Sequence, residues 1–194
     1  MSRKEFTHNE CVAKVLLETV VGLQNIQLGD RPDITYGEGN GIEVTTAVFE
    51  DDLRSQNIIE RRLAGKKADP FPDGYFETKY AIFGPTMVSD DTLISDKTIR
   101  TTRQAVELIK KAIDKKRKKV KSYPIKTKEL FTDVVLCVDR DFELKEIGRY
   151  IYEYAKNDFD IIYIYVQDAE CILKCQASGI DVHRFDPLKI NNCM

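Results

Sequence analysis

Residues 31–46 have the sequence RPDITYGEGNGIEVTT, and this stretch decides the fold that we expect. Its two ends are rich in β-branched and aromatic residues, whereas three glycines interrupt its middle. This pattern predicts two short strands joined by a tight turn. If residues 37–39 form the turn, Tyr36 pairs with Asn40, and the rest of the register of the hairpin is fixed.

The predicted hairpin places Asp33 directly opposite Glu43. Because side chains alternate across a strand, both carboxylates lie on the same face, with Cβ atoms about 5 Å apart. Two carboxylates this close repel each other unless a cation lies between them. Mg²⁺ and Mn²⁺ prefer oxygen ligands, so the pair is a candidate metal site. The alternative is a hairpin face that simply points acidic side chains at water.

The composition is that of an ordinary globular protein. A chain of 194 residues with 42% hydrophobic residues can build one domain with a substantial core. The formal net charge of −2 gives no overall attraction to nucleic acid or to an anionic membrane, so any such attraction is local. The polar N-terminal residues and the short apolar runs do not resemble a signal peptide or a membrane span. With five scattered cysteines, we expect a cytoplasmic, reduced protein.

Hydrophobic periodicity predicts a helix, the hairpin, a helix, a short strand, a long helix, a strand, a helix, a strand and a small tail. The first helix begins at a capping box formed by Thr7 and Glu10. The second helix is expected at residues 51–63, and later strands at 133–139 and 160–166. Further helices are expected at residues 143–156 and 169–177, and a last strand at 180–185. This order predicts an α/β or α+β domain with a mixed sheet covered by helices.

The long helix, predicted from residue 96 or 97 to residue 122, carries a lysine on its apolar face. Positions 109, 113, 116, 120 and 123 recur at intervals of four and three residues, which places them on one side of the helix. Four of these positions are apolar or aromatic, but position 116 is Lys116. A lysine on a buried face either extends past the core to solvent or meets a carboxylate.

The second half of the same helix contains a run of lysine and arginine. Its candidate nucleic-acid contacts are Lys115, Arg117 and Lys119, because clustered cations attract a phosphate backbone. A solvated helix face explains most of the run equally well, and cations are also favoured near a helix C-terminus.

The segments RPDI and GIEVT, which follow a helix that carries Glu10, resemble the PD-(D/E)XK nuclease superfamily. Within it they are similar to small uncharacterised bacterial proteins with a PDI…GIEVT signature. The later segments AIDKKRKKVKSY, DVVLCVD and FDIIYIYVQD resemble the helix and strands that complete such a domain. The resemblance covers about residues 7–168. It implies an α/β fold with a mixed sheet, a restriction-endonuclease-like core and a single domain over residues 1–194.

The resemblance also implies roles for individual residues. Asp33 matches the motif aspartate and Glu43 the motif glutamate, but Thr45 stands where the motif has lysine. Some branches of the superfamily supply this lysine from a helix, and Lys116 is the candidate here. Glu10 resembles the carboxylate of the N-terminal helix that can complete the metal site, with helix capping as the alternative.

The implied activity is Mg²⁺- or Mn²⁺-dependent hydrolysis of phosphodiester bonds in nucleic acid, with DNA expected rather than RNA. Asp33, Glu43 and Glu10 would hold the cation, while Lys116 would orient or activate the attacking water. The alternative is a catalytically inactive relative that binds nucleic acid or a protein partner through its basic helix. We expect no membrane partner. The oligomeric state stays open, with a homodimer among the options.

Overall fold

The computed structural model describes residues 6–47, 101–136 and 138–190. Between the first two ranges it also describes residues 54, 58, 61, 65–67, 69, 70, 76, 77, 82 and 83. The helix expected at 51–63 therefore lies largely outside the described residues, as do residues 96–100. The long helix that was expected from residue 96 or 97 begins at Thr102, because Thr101 is extended and caps its N-terminus. No helix in the described ranges is both long enough and apolar enough to cross a membrane.

The described elements are four helices, one π-helical turn and nine strands. Helix α1 (His8–Leu16) continues into the π-helical turn (Leu17–Val21). The strands are β1 (Gln27–Leu28), β2 (Ile34–Tyr36), β3 (Asn40–Thr46), β4 (Phe76–Glu77), β5 (Ile82–Phe83), β6 (Thr127–Val134), β7 (Ile161–Val166), β8 (Cys171–Gln176) and β9 (Gly179–Arg184). The other helices are α2 (Thr102–Val120), α3 (Asp141–Ala155) and the short α4 (Pro187–Ile190).

Seven strands form one mixed sheet in the order β1-β2-β3-β6-β7-β8-β9, while β4 and β5 form a separate two-stranded ladder. The central strands β3, β6 and β7 run parallel, and the outer neighbours pair antiparallel. Parallel neighbours need a crossover connection. Helix α2 lies in the connection from β3 to β6, and α3 in the connection from β6 to β7. The result is an α/β fold built on a single mixed sheet, as predicted.

Both faces of the sheet are covered, so its central strands are buried on both sides. Helices α2 and α3 pack on one face, and α1 with the π-helical turn packs on the other. Alternation along the strands divides their side chains between the two clusters. Leu130, Ile162 and Leu173 lie in the cluster with α2 and α3, whereas Phe131, Tyr163 and Ile172 lie in the cluster with α1.

Strand β6 begins at Thr127, earlier than the strand predicted at residues 133–139. The prediction was wrong because the first residues of β6 are polar, and polar residues do not indicate a buried strand. The hydroxyl of Thr127 contacts both Asn40 and Glu129, and Glu129 is only 1% exposed. The chain leaves the sheet after Val134 although apolar residues follow.

The helix predicted at residues 169–177 is also wrong, because this segment is strand β8. Cys171, Leu173 and Cys175 alternate with the buried Ile172, so the run is apolar on both faces. A short, continuous apolar run does not distinguish a strand from a helix by periodicity. The neighbouring expectations for α3, β7 and β9 are confirmed within two residues at each end.

Candidate active site

The hairpin formed by β2 and β3 has the register expected from the sequence. Tyr36 pairs with Asn40 and Ile34 pairs with Ile42. The turn between them contains two glycines with φ of +53° and +87°, a region that glycine adopts without the steric penalty of a side chain. The turn chemistry therefore fixes which residues lie opposite each other across the hairpin.

Asp33, which immediately precedes β2, is tied to the neighbouring strand. Its Oδ2 accepts a hydrogen bond of 2.9 Å from the buried backbone N–H of Val44. Pro32, the residue before Asp33, packs closely against β3 because position 41 is a glycine. A Cβ at Gly41 would lie 2.6 Å from Cγ of Pro32. The Asp33 carboxylate is thus held beside Glu43, as the predicted register requires.

Lys116 of helix α2 reaches both carboxylates. Its Nζ lies 2.6 Å from Oε2 of Glu43 and 3.1 Å from Oδ2 of Asp33. Lys116 is separated from these residues by 73 and 83 positions in the chain. All three side chains are at least 87% buried, with exposed fractions of 11%, 3% and 13% for Lys116, Glu43 and Asp33. We call these three residues the acid–lysine cluster.

Lys116 remains an ammonium ion at neutral pH. Burial works against its charge, but the hydrogen bond and negative charge of Glu43, together with those of Asp33, outweigh burial and raise the pKa of Lys116 above its usual value. The acid–lysine cluster therefore contains one fixed positive charge between two carboxyl groups. Lys116 can donate hydrogen bonds there, but it cannot accept a proton.

The acid–lysine cluster opens into a cavity of about 440 Å³. The cavity is lined by Asp30, Arg31, Asp33, Glu43, Lys116, Lys119, Ser122 and Tyr123. Burial and the negative charges of Glu43 and Asp33 raise the pKa of Tyr123 to about 12, so its hydroxyl keeps its proton. Sequence reasoning missed Arg31, although its place two residues before Asp33 was a usable signal. For Ser122 no sequence signal was present.

The remaining candidates from the sequence lie in different places. Glu10 caps helix α1, where its carboxylate accepts a hydrogen bond of 2.6 Å from the Thr7 backbone N–H, and it does not line the cavity. Arg117 contacts Asp114 and Asp158 at 3.0 and 3.1 Å, and so faces α3 rather than the cavity. Lys115 and Lys119 are exposed, and only Lys119 lines the cavity.

The acid–lysine cluster has donor chemistry that fits Mg²⁺ or Mn²⁺. Within the described part of the chain, no three His, Cys, Asp or Glu side chains form a metal-binding group. However, Mg²⁺ is often held by one or two carboxylates and completes its coordination with water and substrate phosphate. Asp33 and Glu43 supply two carboxylates at the wall of an open cavity. Lys116 hydrogen-bonds to one oxygen of each carboxylate, so its contacts leave the second oxygens to other partners.

A second buried polar cluster lies on the opposite face of the sheet. Glu129 accepts hydrogen bonds from Tyr36 at 2.6 Å and Thr127 at 3.0 Å through Oε1. Oε2 of Glu129 and the hydroxyl of Tyr163 lie buried in the same cluster. Burial raises the pKa of Glu129, and the hydroxyls of Tyr36, Thr127 and Tyr163 oppose this. No pattern in the sequence singles out Glu129.

No protein-family model matches the chain, and no curated protein or solved structure matches it either. The functional interpretation therefore depends on the residues of the cavity and on their chemistry.

Proposed function

We propose that the protein hydrolyses phosphodiester bonds of nucleic acid, with a divalent cation held by Asp33 and Glu43. The observation that carries this proposal is the convergence of Asp33, Glu43 and Lys116 at one cavity from distant parts of the chain. Two carboxylates beside a lysine are what the resemblance to PD-(D/E)XK nucleases leads us to expect. We extend the proposal to the fold: the β2–β3 hairpin, helix α2 and the parallel strands β6 and β7 form a restriction-endonuclease-like core.

In the proposed mechanism, each residue of the acid–lysine cluster has a separate task. Asp33 and Glu43 would hold Mg²⁺ or Mn²⁺, which would act as a Lewis acid and would lower the pKa of bound water. Lys116 donates hydrogen bonds to both carboxylates, so we assign it the role of a charged hydrogen-bond donor. Its ammonium would stabilise negative charge that develops on the phosphate oxygens in the transition state. The hydrogen bond from Val44 keeps the Asp33 carboxylate in place during these steps.

A second candidate function is binding of nucleic acid without catalysis. The observation that favours it is the short contact between Lys116 and Glu43, since an internal ammonium already offsets the charge of the carboxylates. Such a protein would bind in a salt-sensitive way through its exposed lysines. Replacing Asp33 with asparagine would leave that binding unchanged.

The deciding experiment combines cleavage and thermal unfolding. Wild type should cleave a nucleic-acid substrate with Mg²⁺ or Mn²⁺ and not with EDTA, and Asp33→Asn or Glu43→Gln should lower the rate about 10²–10³-fold. A cation at a hundredfold excess over Kd should stabilise wild type by about 2.7 kcal/mol, and this gain should disappear in both variants. Glu38→Gln is the matched control, because Glu38 lies exposed in the hairpin turn.

The two candidate functions predict different patterns. Cleavage that is unaffected by Asp33→Asn and Glu43→Gln would reject the proposed active site. If wild type binds nucleic acid in a salt-sensitive way but cleaves it with neither Mg²⁺ nor Mn²⁺, the second candidate function, binding without catalysis, is supported instead.

A further inference from the structure

Arg31 and Lys119 lie at the same cavity as the acid–lysine cluster but differ from it in exposure. Asp33, Glu43 and Lys116 are buried, whereas Arg31 and Lys119 are exposed. Arg31 lies in the segment before β2, and Lys119 lies in the last turn of α2. The two cations therefore flank the outer part of the cavity from two separate elements.

The cationic side chains that line the cavity differ in whether they form ion pairs. Its lining has three carboxylates and three cationic side chains, but Lys116 is already bound to Glu43 and Asp33. Neither Arg31 nor Lys119 forms an ion pair with a residue in the described ranges, although Arg117 of the same helix and Lys121 directly after it both pair with Asp158. The positive charge of Arg31 acts on Tyr123 at the cavity, where it lowers the pKa of the hydroxyl against the larger effects that raise it.

We infer that Arg31 and Lys119 bind a phosphate group of the nucleic-acid substrate and place it against the acid–lysine cluster. The inference rests on the proposed function, in that it takes this cavity as the substrate site. A guanidinium and an ammonium are the side chains that bind phosphate best, and Arg31 can do so with two parallel hydrogen bonds. A cavity of about 440 Å³ is in the size range of small-molecule sites, so it has room for a single nucleotide.

The test measures binding of a short fluorescein-labelled single-stranded DNA by anisotropy, first in EDTA and then in Ca²⁺. Arg31→Gln and Lys119→Gln should each weaken binding about tenfold, since each removes a charge-assisted hydrogen bond. Each substitution should also reduce the slope of log K against log salt by about 0.7.

Lys118→Gln is the matched control, because Lys118 is an exposed lysine next to Lys119 that does not line the cavity. This variant should bind as wild type does, and all variants should keep the melting temperature of wild type. If Lys118→Gln weakens binding as much as Lys119→Gln, the helix acts as a diffuse basic surface and the inference is wrong. Wild-type affinity in both Arg31→Gln and Lys119→Gln, or no binding by wild type in either buffer, would also overturn it.

The result is separable from that of the cleavage experiment. Loss of binding in Arg31→Gln and Lys119→Gln without any cleavage by wild type would support the phosphate site and reject the proposed nuclease activity. Cleavage at an unchanged rate by both variants would support the nuclease activity and reject the phosphate site.

Discussion

At the scale of the residue, Lys116 is the side chain on which the carboxylate pair depends. Methionine in Lys116→Met has an unbranched side chain of similar length but no charge. The substitution leaves Asp33 and Glu43 close together and buried without their cation. Removing one partner of a buried ion pair costs about 3–5 kcal/mol. We therefore expect a loss of this size in the free energy of unfolding, measured with urea in EDTA.

The same variant tests the metal site independently of activity. With Lys116 gone, a divalent cation is the remaining way to offset the repulsion, so Mn²⁺ should stabilise Lys116→Met more than wild type. Lys118→Met is the control, since Lys118 is exposed, and it should change the unfolding free energy by less than about 0.5 kcal/mol. Equal stabilities for the two variants would show that the contacts of Lys116 contribute nothing.

Individual site residues were predictable where a local pattern determined them. The turn glycines set the register that brings Asp33 opposite Glu43, and helical spacing placed Lys116 on the inward face. Arg31 was missed although it lies two residues before Asp33, whereas the meeting of Arg31 with Lys119 at one cavity depends on α2, far away in the sequence. Glu10 satisfied its capping pattern, and that local pattern was the better guide to its position.

At the scale of the element, Glu129 connects strand β6 to β2 through the hydroxyl of Tyr36. Burial raises the pKa of Glu129 above its ordinary value of 4.5. The folded protein thus holds this proton to higher pH than the unfolded chain does. The stability associated with the protonated form is complete below pH 4.5 and is lost as pH rises through the folded-state pKa.

Glu129→Gln removes this dependence on pH. The amide keeps an oxygen for Tyr36 and Thr127 and carries no charge, so it avoids the cost that burial imposes on the ionised carboxylate. Burying a polar group whose hydrogen bonds are incomplete costs about 1–3 kcal/mol. We therefore expect Glu129→Gln to be more stable than wild type at pH 7 by up to this amount, with the advantage shrinking towards pH 4.

Urea unfolding between pH 4 and pH 8 measures this difference. Glu146→Gln on the exposed side of α3 is the control, and its stability should follow that of wild type across the range. A Glu129→Gln protein that is less stable than wild type at pH 7 would mean that the attraction between Glu129 and Lys174 outweighs the cost of burial.

The helices α1 and α3 were predictable from their helical periodicity, and β7 from its short run of β-branched and aromatic residues. The start of β6 was not predicted, because its first residues are polar and lie in the cluster around Glu129. Strand β8 was not predicted either, because the segment from Cys171 to Gln176 is short and apolar on both faces. In both cases the deciding interactions come from neighbouring strands, so a local pattern could not contain them.

At the scale of the whole molecule, the strand order sets where stability is concentrated. Strands β3, β6 and β7 each have a hydrogen-bonded neighbour on both sides and helices on both faces, whereas β1 and β9 are edges. Amides in the central strands open only with global unfolding, and those at edges open locally. Hydrogen exchange followed by mass spectrometry should therefore find the slowest exchange in β6 and β7 and the fastest in β1 and β9. Protection of β9 equal to that of β7 would show that another chain covers this edge in solution.

The acid–lysine cluster also has a consequence for the order in which the protein assembles. Asp33 and Glu43 are ten residues apart, so closing the hairpin brings two negative charges together early and at little entropic cost. The ammonium that relieves their repulsion arrives only when α2 closes a far longer loop, and long-range contacts form slowly. The hairpin and α2 therefore become stable together. A nascent chain that ends before Lys116 would carry both carboxylates and yet gain no electrostatic benefit from folding around them.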